Sequence, residues 1–169
     1  EIRIDSPDPF KQVGEILTKG MNVMDGYYNN PEASNAVLSP DGWLHTGDLG
    51  ILDPDGYLYI KGRSKSLILG PSGQNIYPEE IEDLLNAQPY IAESLVIERE
   101  GKLVALVYPD SEAMKQHKIS RDTLLKIIHE TRKQINQQIP AYSQIARIEI
   151  HDEEFEKTPK RSIKRFLYQ

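Results

Sequence analysis

WLHTGDLGILDPDGYLYIKGRSKSLILGPSGQNIYPEEIE, residues 43–82, decides the fold. Trp43 to Leu52 and Tyr57 to Lys61 read as β-strands, with Asp53-Pro54-Asp55-Gly56 between them. That tetrapeptide joins a turn proline to an Asp-Gly and signals a hairpin. Gly62, Arg63 and Lys65 follow. Ser66 to Gly70 then reads as a short apolar strand, turned at Pro71-Ser72-Gly73. Pro78 suits the first position of a helix. Glu79, Glu80 and Glu82 are favourable near its positive N-terminal end, and Ile81, Leu84 and Leu85 give it one apolar face.

Working outward, residues 1–12 read as loop and Val13 to Lys19 as a strand. Asn22 to Asn30 is rich in turn residues, and Pro31 to Val37 fits a short helix opened by proline. Ala92 to Glu98 and Lys102 to Tyr108 form an expected hairpin around Glu100-Gly101. A longer helix starts after Ser120, a suitable N-cap. Leu124, Ile128, Thr131, Ile135 and Ile139 fall on one helical stripe, and Pro140 ends it. Ala146, Ile148 and Ile150 alternate as a last strand. The expected class is α+β. Residues 1–62 are mostly β and make an incomplete sheet, because two hairpins rarely bury a core alone. Residues 63–65 connect it to residues 66–169, a β-α-β-β-α-β pattern with a mixed sheet and flanking helices, large enough to fold by itself.

Composition narrows the function. Hydrophobic residues make up 38% and charged residues 27% of the chain, an ordinary globular balance. No apolar run reaches the ~20 residues of a membrane helix. The chain has no Cys, which excludes disulfides, thiolate metal sites and cysteine catalysis; a cytoplasmic protein is expected. Residues 1–62 hold 4 Lys/Arg against 10 Asp/Glu, and the other 107 residues hold 16 of each. This acidic balance opposes a general nucleic-acid binder. The end of the chain is locally basic: Lys157, Lys160, Arg161, Lys164 and Arg165 stand against Glu156.

Asp48 follows Thr46-Gly47 at a strand end. Alone, such a tripeptide is most simply a turn. As a site, its carboxylate is an acceptor-only group suited to two vicinal hydroxyl donors. The Arg63 guanidinium at the domain junction suits ribose oxygens or phosphate. Taken with the downstream pattern, the functional reading of this pair prevails. No His/Asp/Glu spacing suggests a metal site, and no Ser-His-Asp or paired-carboxylate arrangement is visible. Tyr27 and Tyr28 are expected in the core, and His45 beside Thr46 is placed to line a nucleotide site.

These stretches together resemble the acyl-adenylate-forming (AMP-binding) enzymes: acyl-CoA synthetases, luciferases and peptide-synthetase adenylation domains. GEILTKGMNVMDGYYNNPEAS looks like the end of the large N-terminal domain of that superfamily. LHTGDLG looks like its ribose-binding segment, and GRSKSLILGPSGQNIYPEEIE like its hinge and following loop. INQQIPAY and EKTPKRSIKRFLY look like its last helix and C-terminal catalytic loop. SGQNIYPEEIE and TPKRSIKRFLY are most similar to bacterial long-chain fatty acid–CoA ligases. Residue 1 then falls inside the large domain. The chain is expected to be a fragment that needs the missing N-terminal domain and is inactive alone.

The resemblance implies a two-step ligase using ATP, Mg supplied with it, and CoA. A fatty acid carboxylate attacks the α-phosphate to give acyl-adenylate and pyrophosphate. The C-terminal lid domain rotates, and the CoA thiol then releases AMP. Asp48 would bind the ribose hydroxyls with Arg63 in support. Lys65 would be the hinge, absorbing the backbone change. Gly70 to Gly73 would approach the CoA arm, although Gly73 is equally well explained by a turn. Contact of the ligase with a membrane surface is compatible with a fatty acid substrate.

The C-terminal loop departs from the family's Thr-Pro-x-x-Lys-Ile-x-Arg. Thr158, Pro159, Ile163 and Arg165 keep the frame, but Ser162 occupies the lysine position. A hydroxyl cannot supply the same charge to a transferring phosphoryl group. Three readings stay open: Lys160 or Lys164 reaches the site by a local shift, the frame slips, or adenylation is slow or lost. On a strand, Lys164 would share a face with Ser162, which favours Lys164; both lysines also fit a solvated surface. Leu69 stands where some relatives carry a lysine. The rival classes are a stand-alone α+β binding module whose basic tail docks an acidic partner, and a nucleic-acid binder using Phe155, Phe166 and Tyr168.

Overall fold

A computed structural model describes residues 1–169. The chain divides between Lys65 and Ser66 into two compact units.

In the first unit, β1 (Ile2–Asp5), β2 (Gly14–Thr18), β3 (Leu44–Leu52) and β4 (Leu58–Arg63) form one antiparallel sheet in chain order. Strand β1 corrects the expectation of loop over residues 1–12. Ile2 to Asp5 pair with Thr18 to Glu15. Four residues flanked by Ser-Pro and Asp-Pro carry little strand signal alone; their order comes from the neighbouring strand. Helix α1 (Pro31–Val37) starts with its proline as expected, and the Asn30 side chain caps it by accepting the Ala33 N–H at 3.0 Å. Ile4, Ile16 and Leu17 are the buried hydrophobic residues of this unit, while Phe10, Tyr57, Tyr59 and Ile60 are exposed. Tyr27 and Tyr28, expected in the core, lie outside it: Tyr28 is 94% exposed. They occupy the turn region before α1.

The second unit begins with a two-residue hairpin, β5 (Ile68–Leu69) against β6 (Asn75–Ile76), followed by α2 (Pro78–Asn86). Its main sheet contains β7 (Ile91–Arg99), β8 (Lys102–Pro109) and β9 (Ile145–Ile150). β7 and β8 are antiparallel; β9 runs parallel to β8. A parallel neighbour requires a crossover, which α3 (Ser111–Gln116) and α4 (Arg121–Asn136) supply. Ser120 caps α4 by accepting the Thr123 N–H, and Leu124, Ile128, Thr131 and Ile135 are its buried face. Helix α3 was not visible as a periodic pattern because it lasts less than two turns. Its signal is Asp110, whose carboxylate accepts the N–H groups of Glu112 and Ala113.

Both faces of the sheet are covered, which explains the unbroken apolar runs of β7 and β8. Val96, Leu103, Ala105 and Val107 face α2 and α4. Leu95, Ile97, Val104 and Leu106 face the other way and are covered by Phe155, with Ile163 and Tyr168 against them. The last fifteen residues therefore contribute a wall of the second core. The start of β9 is held by Asn136 at the end of α4. Its side chain accepts the Ile145 N–H at 2.8 Å and donates to the Ile145 carbonyl at 3.0 Å, replacing a strand neighbour.

Candidate functional site

Thr46-Gly47-Asp48 forms a bulge in β3. Glu15 pairs with Leu49 and Leu17 with His45, so these three residues oppose Ile16 alone. Gly47 takes φ +72°, a conformation L side chains rarely adopt. The bulge is pinned from both sides. The Thr46 hydroxyl donates to the Ile16 carbonyl at 2.7 Å and accepts the Asp48 N–H at 3.1 Å. Glu15 accepts the Gly47 N–H at 2.9 Å with one oxygen and meets His45 Nδ1 at 2.9 Å with the other. Sequence reading did not find Glu15; its position opposite the bulge was the available signal, but only with the strand register known.

Asp48 and Arg63 are direct cross-strand partners. Arg63 Nη1 lies 2.6 Å from Asp48 Oδ1, with the arginine side chain 58% and the aspartate 34% exposed. The structure thus brings these two candidates together. Both side chains stay partly exposed, and the contact uses one carboxylate oxygen and one guanidinium nitrogen, so an acceptor and further donors remain, an arrangement able to grip a diol or an oxyanion. His45 sits one residue from the bulge and is engaged by Glu15.

Replacing Glu15 by Ala leaves the Gly47 N–H without its acceptor. We expect the urea midpoint of the first unit to drop, with a loss of about 1.5 kcal/mol. Fluorescence of Trp43, the sole tryptophan and stacked under Arg3 at 4.6 Å, reports on this unit. An unchanged midpoint would show that water replaces Glu15 without cost.

Lys65 is the middle residue of a 3-10 turn, Ser64–Ser66. Gly73 ends the tight turn Gly70-Pro71-Ser72-Gly73, in which the Gly73 N–H meets the Gly70 carbonyl at 2.9 Å. Its φ is +78°, and nothing lies within 4 Å of where a Cβ would be, so the tip is open to an approaching molecule. Leu69 beside it is exposed.

The C-terminal loop differs from the strand assumed when Ser162 and Lys164 were placed on one face. Residues 158–162 form a closed turn: the Thr158 N–H bonds the Ser162 carbonyl and the Arg161 N–H bonds the Thr158 carbonyl, both at 2.8 Å. A single bridge, Lys157 to Ile163, flanks it. Pro159 starts that turn, so the chain reverses before a strand can extend.

Most of the tail's charge is directed inward. Lys157 meets Glu93 and Glu154, each at 2.5 Å. Lys164 Nζ is 3.0 Å from Glu156 Oε2. Arg165 lies 3.4 Å from Glu79 and 2.5 Å from Glu82. Lys160 is exposed and carries no such pair. Glu82, expected near the positive N-terminal end of α2, is buried there and accepts the Val96 N–H at 2.6 Å. Burial pushes its carboxyl up, opposed by the Arg165 guanidinium and the Val96 N–H. The ring of Phe155 is buried against His151 and Tyr168. It is therefore not presented for base stacking.

The sequence profile described as "AMP-binding enzyme C-terminal domain" matches residues 65–168. The chain belongs to that family. Over 98 residues it is 51% identical to the indoleacetate–CoA ligase of Aromatoleum aromaticum, a match covering 56% of this chain and 19% of that enzyme. It is 34% identical over 163 residues to the probable acyl-activating enzyme 4 of Arabidopsis thaliana, covering 92% of this chain and 27% of that protein. The structure of O-succinylbenzoate coenzyme A synthetase from Bacillus subtilis in complex with AMP superimposes with a TM-score of 0.75 and 30% identity. That match covers 100% of this chain and 33% of the synthetase. The chain therefore spans about a fifth to a third of the length of these relatives.

No three His, Cys, Asp or Glu side chains come together to hold a metal ion. No helix is long and apolar enough to cross a membrane.

Proposed function

We propose that this chain is the C-terminal portion of an AMP-forming acid–thiol ligase that joins a carboxylic acid to CoA in two steps. The observation that carries the reading furthest is the Asp48–Arg63 pair on its bulge, in a chain of this family. In the proposed cycle the outward carboxylate oxygen of Asp48 accepts the ribose hydroxyls of ATP. Arg63 orients Asp48 and offers its remaining N–H groups to the same ligand. Lys65, at the unit boundary, is the proposed hinge, and the open Gly73 turn is the proposed neighbour of the CoA arm. Magnesium would arrive with ATP, and a longer chain would supply the rest of the nucleotide and acid pockets. A cytoplasmic location is part of the same proposal, since both ATP and CoA are supplied there.

Lys164 and Lys160 are the proposed lysines of the adenylation step. The pair holding Lys164 to Glu156 is partly exposed, with the lysine side chain 33% accessible. Such a pair is worth about 0–1 kcal/mol, so an arriving phosphate can compete for the ammonium. Lys160 needs no release. For the acid itself we propose a long-chain fatty acid, on the resemblance of SGQNIYPEEIE and TPKRSIKRFLY. Relatives named for indoleacetate, sulfoacetate and 2-succinylbenzoate match the chain too, so a test must span several acids.

ATP–pyrophosphate exchange by the full-length enzyme tests the reading, with palmitate, octanoate, indoleacetate, sulfoacetate and 2-succinylbenzoate. Exchange that collapses in Lys164→Ala assigns that lysine; exchange that survives there and collapses in Lys160→Ala assigns the other. No exchange and no CoA thioester with any of these acids would reject the ligase reading.

Lys65→Pro tests the hinge. Proline fixes φ near −65°, so only one of two backbone arrangements survives. We expect one half-reaction to keep its rate and the other to fall at least about tenfold. Equal rates in both half-reactions would remove Lys65 from the hinge.

A further inference from the structure

Glu15 stands where a backbone ladder is interrupted. β2 and β3 pair on both sides of Ile16, and opposite it Thr46, Gly47 and Asp48 loop out. The strands are locked in this offset. The rung beside Glu15 is Gly14 against Gly50. A Cβ on Gly14 would lie 2.2 Å from the Asp5 carbonyl oxygen. One on Gly50 would lie 2.9 Å from Ile16 Cδ1 and from the Tyr59 carbonyl oxygen. A slip by one residue would push a side chain into these contacts, so Glu15 stays opposite the base of the bulge.

Two consecutive amides of the bulge are held by side chains instead of a facing strand. Glu15 Oε1 accepts the Gly47 N–H at 2.9 Å. Thr46 Oγ1, itself bonded to the Ile16 carbonyl, accepts the Asp48 N–H at 3.1 Å. Both anchors therefore trace to Glu15 and Ile16 on β2. The second Glu15 oxygen meets His45 Nδ1 at 2.9 Å, which keeps the carboxylate from swinging away. The Glu15 side chain is 27% exposed, so these bonds are partly shielded from water. Its carboxylate contacts are Gly47 and His45, not Asp48 or Arg63. A Cβ on Gly47 would lie 3.9 Å from Arg63 Nη2 and from Ser64 Oγ, so the guanidinium lies against the same glycine that Glu15 holds. Gly47 is thus a shared mount for the Asp48–Arg63 pair.

We infer that Glu15 is a positioning residue of the nucleotide site. By holding the Gly47 N–H, it sets the direction in which Asp48 presents its carboxylate to the two ribose hydroxyls. Bulges re-aim side chains and gather next to functional sites; the side chain re-aimed here is that of Asp48. The inference rests on the ligase reading, with Asp48 as the ribose acceptor. It differs from a structural brace in its effect. Loss of a brace lowers the folded fraction and slows every nucleotide alike. Misdirection of Asp48 weakens only a nucleotide that carries the hydroxyls.

The test compares ATP with a dideoxy analogue that lacks both ribose hydroxyls, in pyrophosphate exchange by the full-length enzyme. The readout is the ratio of the two kcat/KM values. The parent should favour ATP. In Glu15→Ala that preference should fall about tenfold, the scale of one hydrogen bond, through the KM for ATP with kcat little changed. Glu15→Gln keeps an acceptor for the Gly47 N–H and a donor for His45, and should recover most of the preference. Glu15→Asp keeps the charge but is one methylene too short, and should not recover it. This contrast decides the matter even where Glu15→Ala lowers the folded fraction. In the Asp48→Ala background, Glu15→Ala should leave the preference unmoved, because nothing remains to be aimed. A parent-like preference in Glu15→Ala, or independent losses in the double variant, would make Glu15 a brace only and overturn the inference, with the ligase reading intact. A parent that does not distinguish the two nucleotides takes the ribose away from Asp48, and this inference falls with it. A parent without exchange or thioester for any acid overturns the ligase reading itself.

Discussion

Arg165→Met should lower the stability of the second unit by about 3 kcal/mol, the scale of stripping a buried carboxylate of its partner. Arg165 donates to both oxygens of Glu82, at 2.8 and 2.5 Å, and its side chain is 19% exposed against 9% for Glu82. Glu82 cannot turn to solvent, because its Oε1 also holds the Val96 N–H in the centre of β7. The urea midpoint by circular dichroism should fall. Hydrogen exchange at the Val96 amide should speed up with it. Glu82→Gln in the Arg165→Met background keeps an acceptor for Val96 and removes the uncompensated charge, so the double variant should be the more stable of the two. A cost below 1 kcal/mol for Arg165→Met would show that solvent screens the pair. Lys164→Ala serves as the contrast, since its more exposed pair with Glu156 should cost no more than about 1 kcal/mol.

Asp48→Ala in the full-length enzyme should raise the KM for ATP about 10- to 100-fold, as expected for losing a charge-assisted hydrogen bond to the ligand. The pair with Arg63 is exposed enough that its loss alone should cost stability little. Weakened ATP binding would therefore report on the ligand and not on the sheet. Asp48→Asn, which keeps one carbonyl acceptor, should fall between parent and alanine. An unchanged KM in Asp48→Ala would take the ribose away from this bulge.

The same residues show how far sequence reading reached. Strands β3 and β4, the turns at Pro54 and Pro71, α1, α2 and the Ser120-capped α4 were legible because their signals are local: turn chemistry, caps and periodicity. Asp48 and Arg63 were legible as a pair through motif order, and the hairpin puts them on one rung. Glu15 was not, since its role depends on a bulge that exists only once β2 and β3 are in register. The strand assumed for residues 161–164 failed because Pro159 starts a turn of the kind read correctly at Asp53-Pro54-Asp55-Gly56, here hidden by arginine in the glycine position.

The amino-acid sequence by itself determined the α+β class, the order of the main elements and the family, because these rest on short-range patterns and a continuous run of motifs. Only the tertiary structure decided the fate of the basic tail. Its charges read as solvent-facing, yet Phe155 and Tyr168 close the second core, and Arg165 reaches back 83 residues to Glu82. No local pattern encodes a contact at that separation. It is selected when a sheet with two apolar faces must bury the second one, and when a carboxylate buried on the way must find a cation.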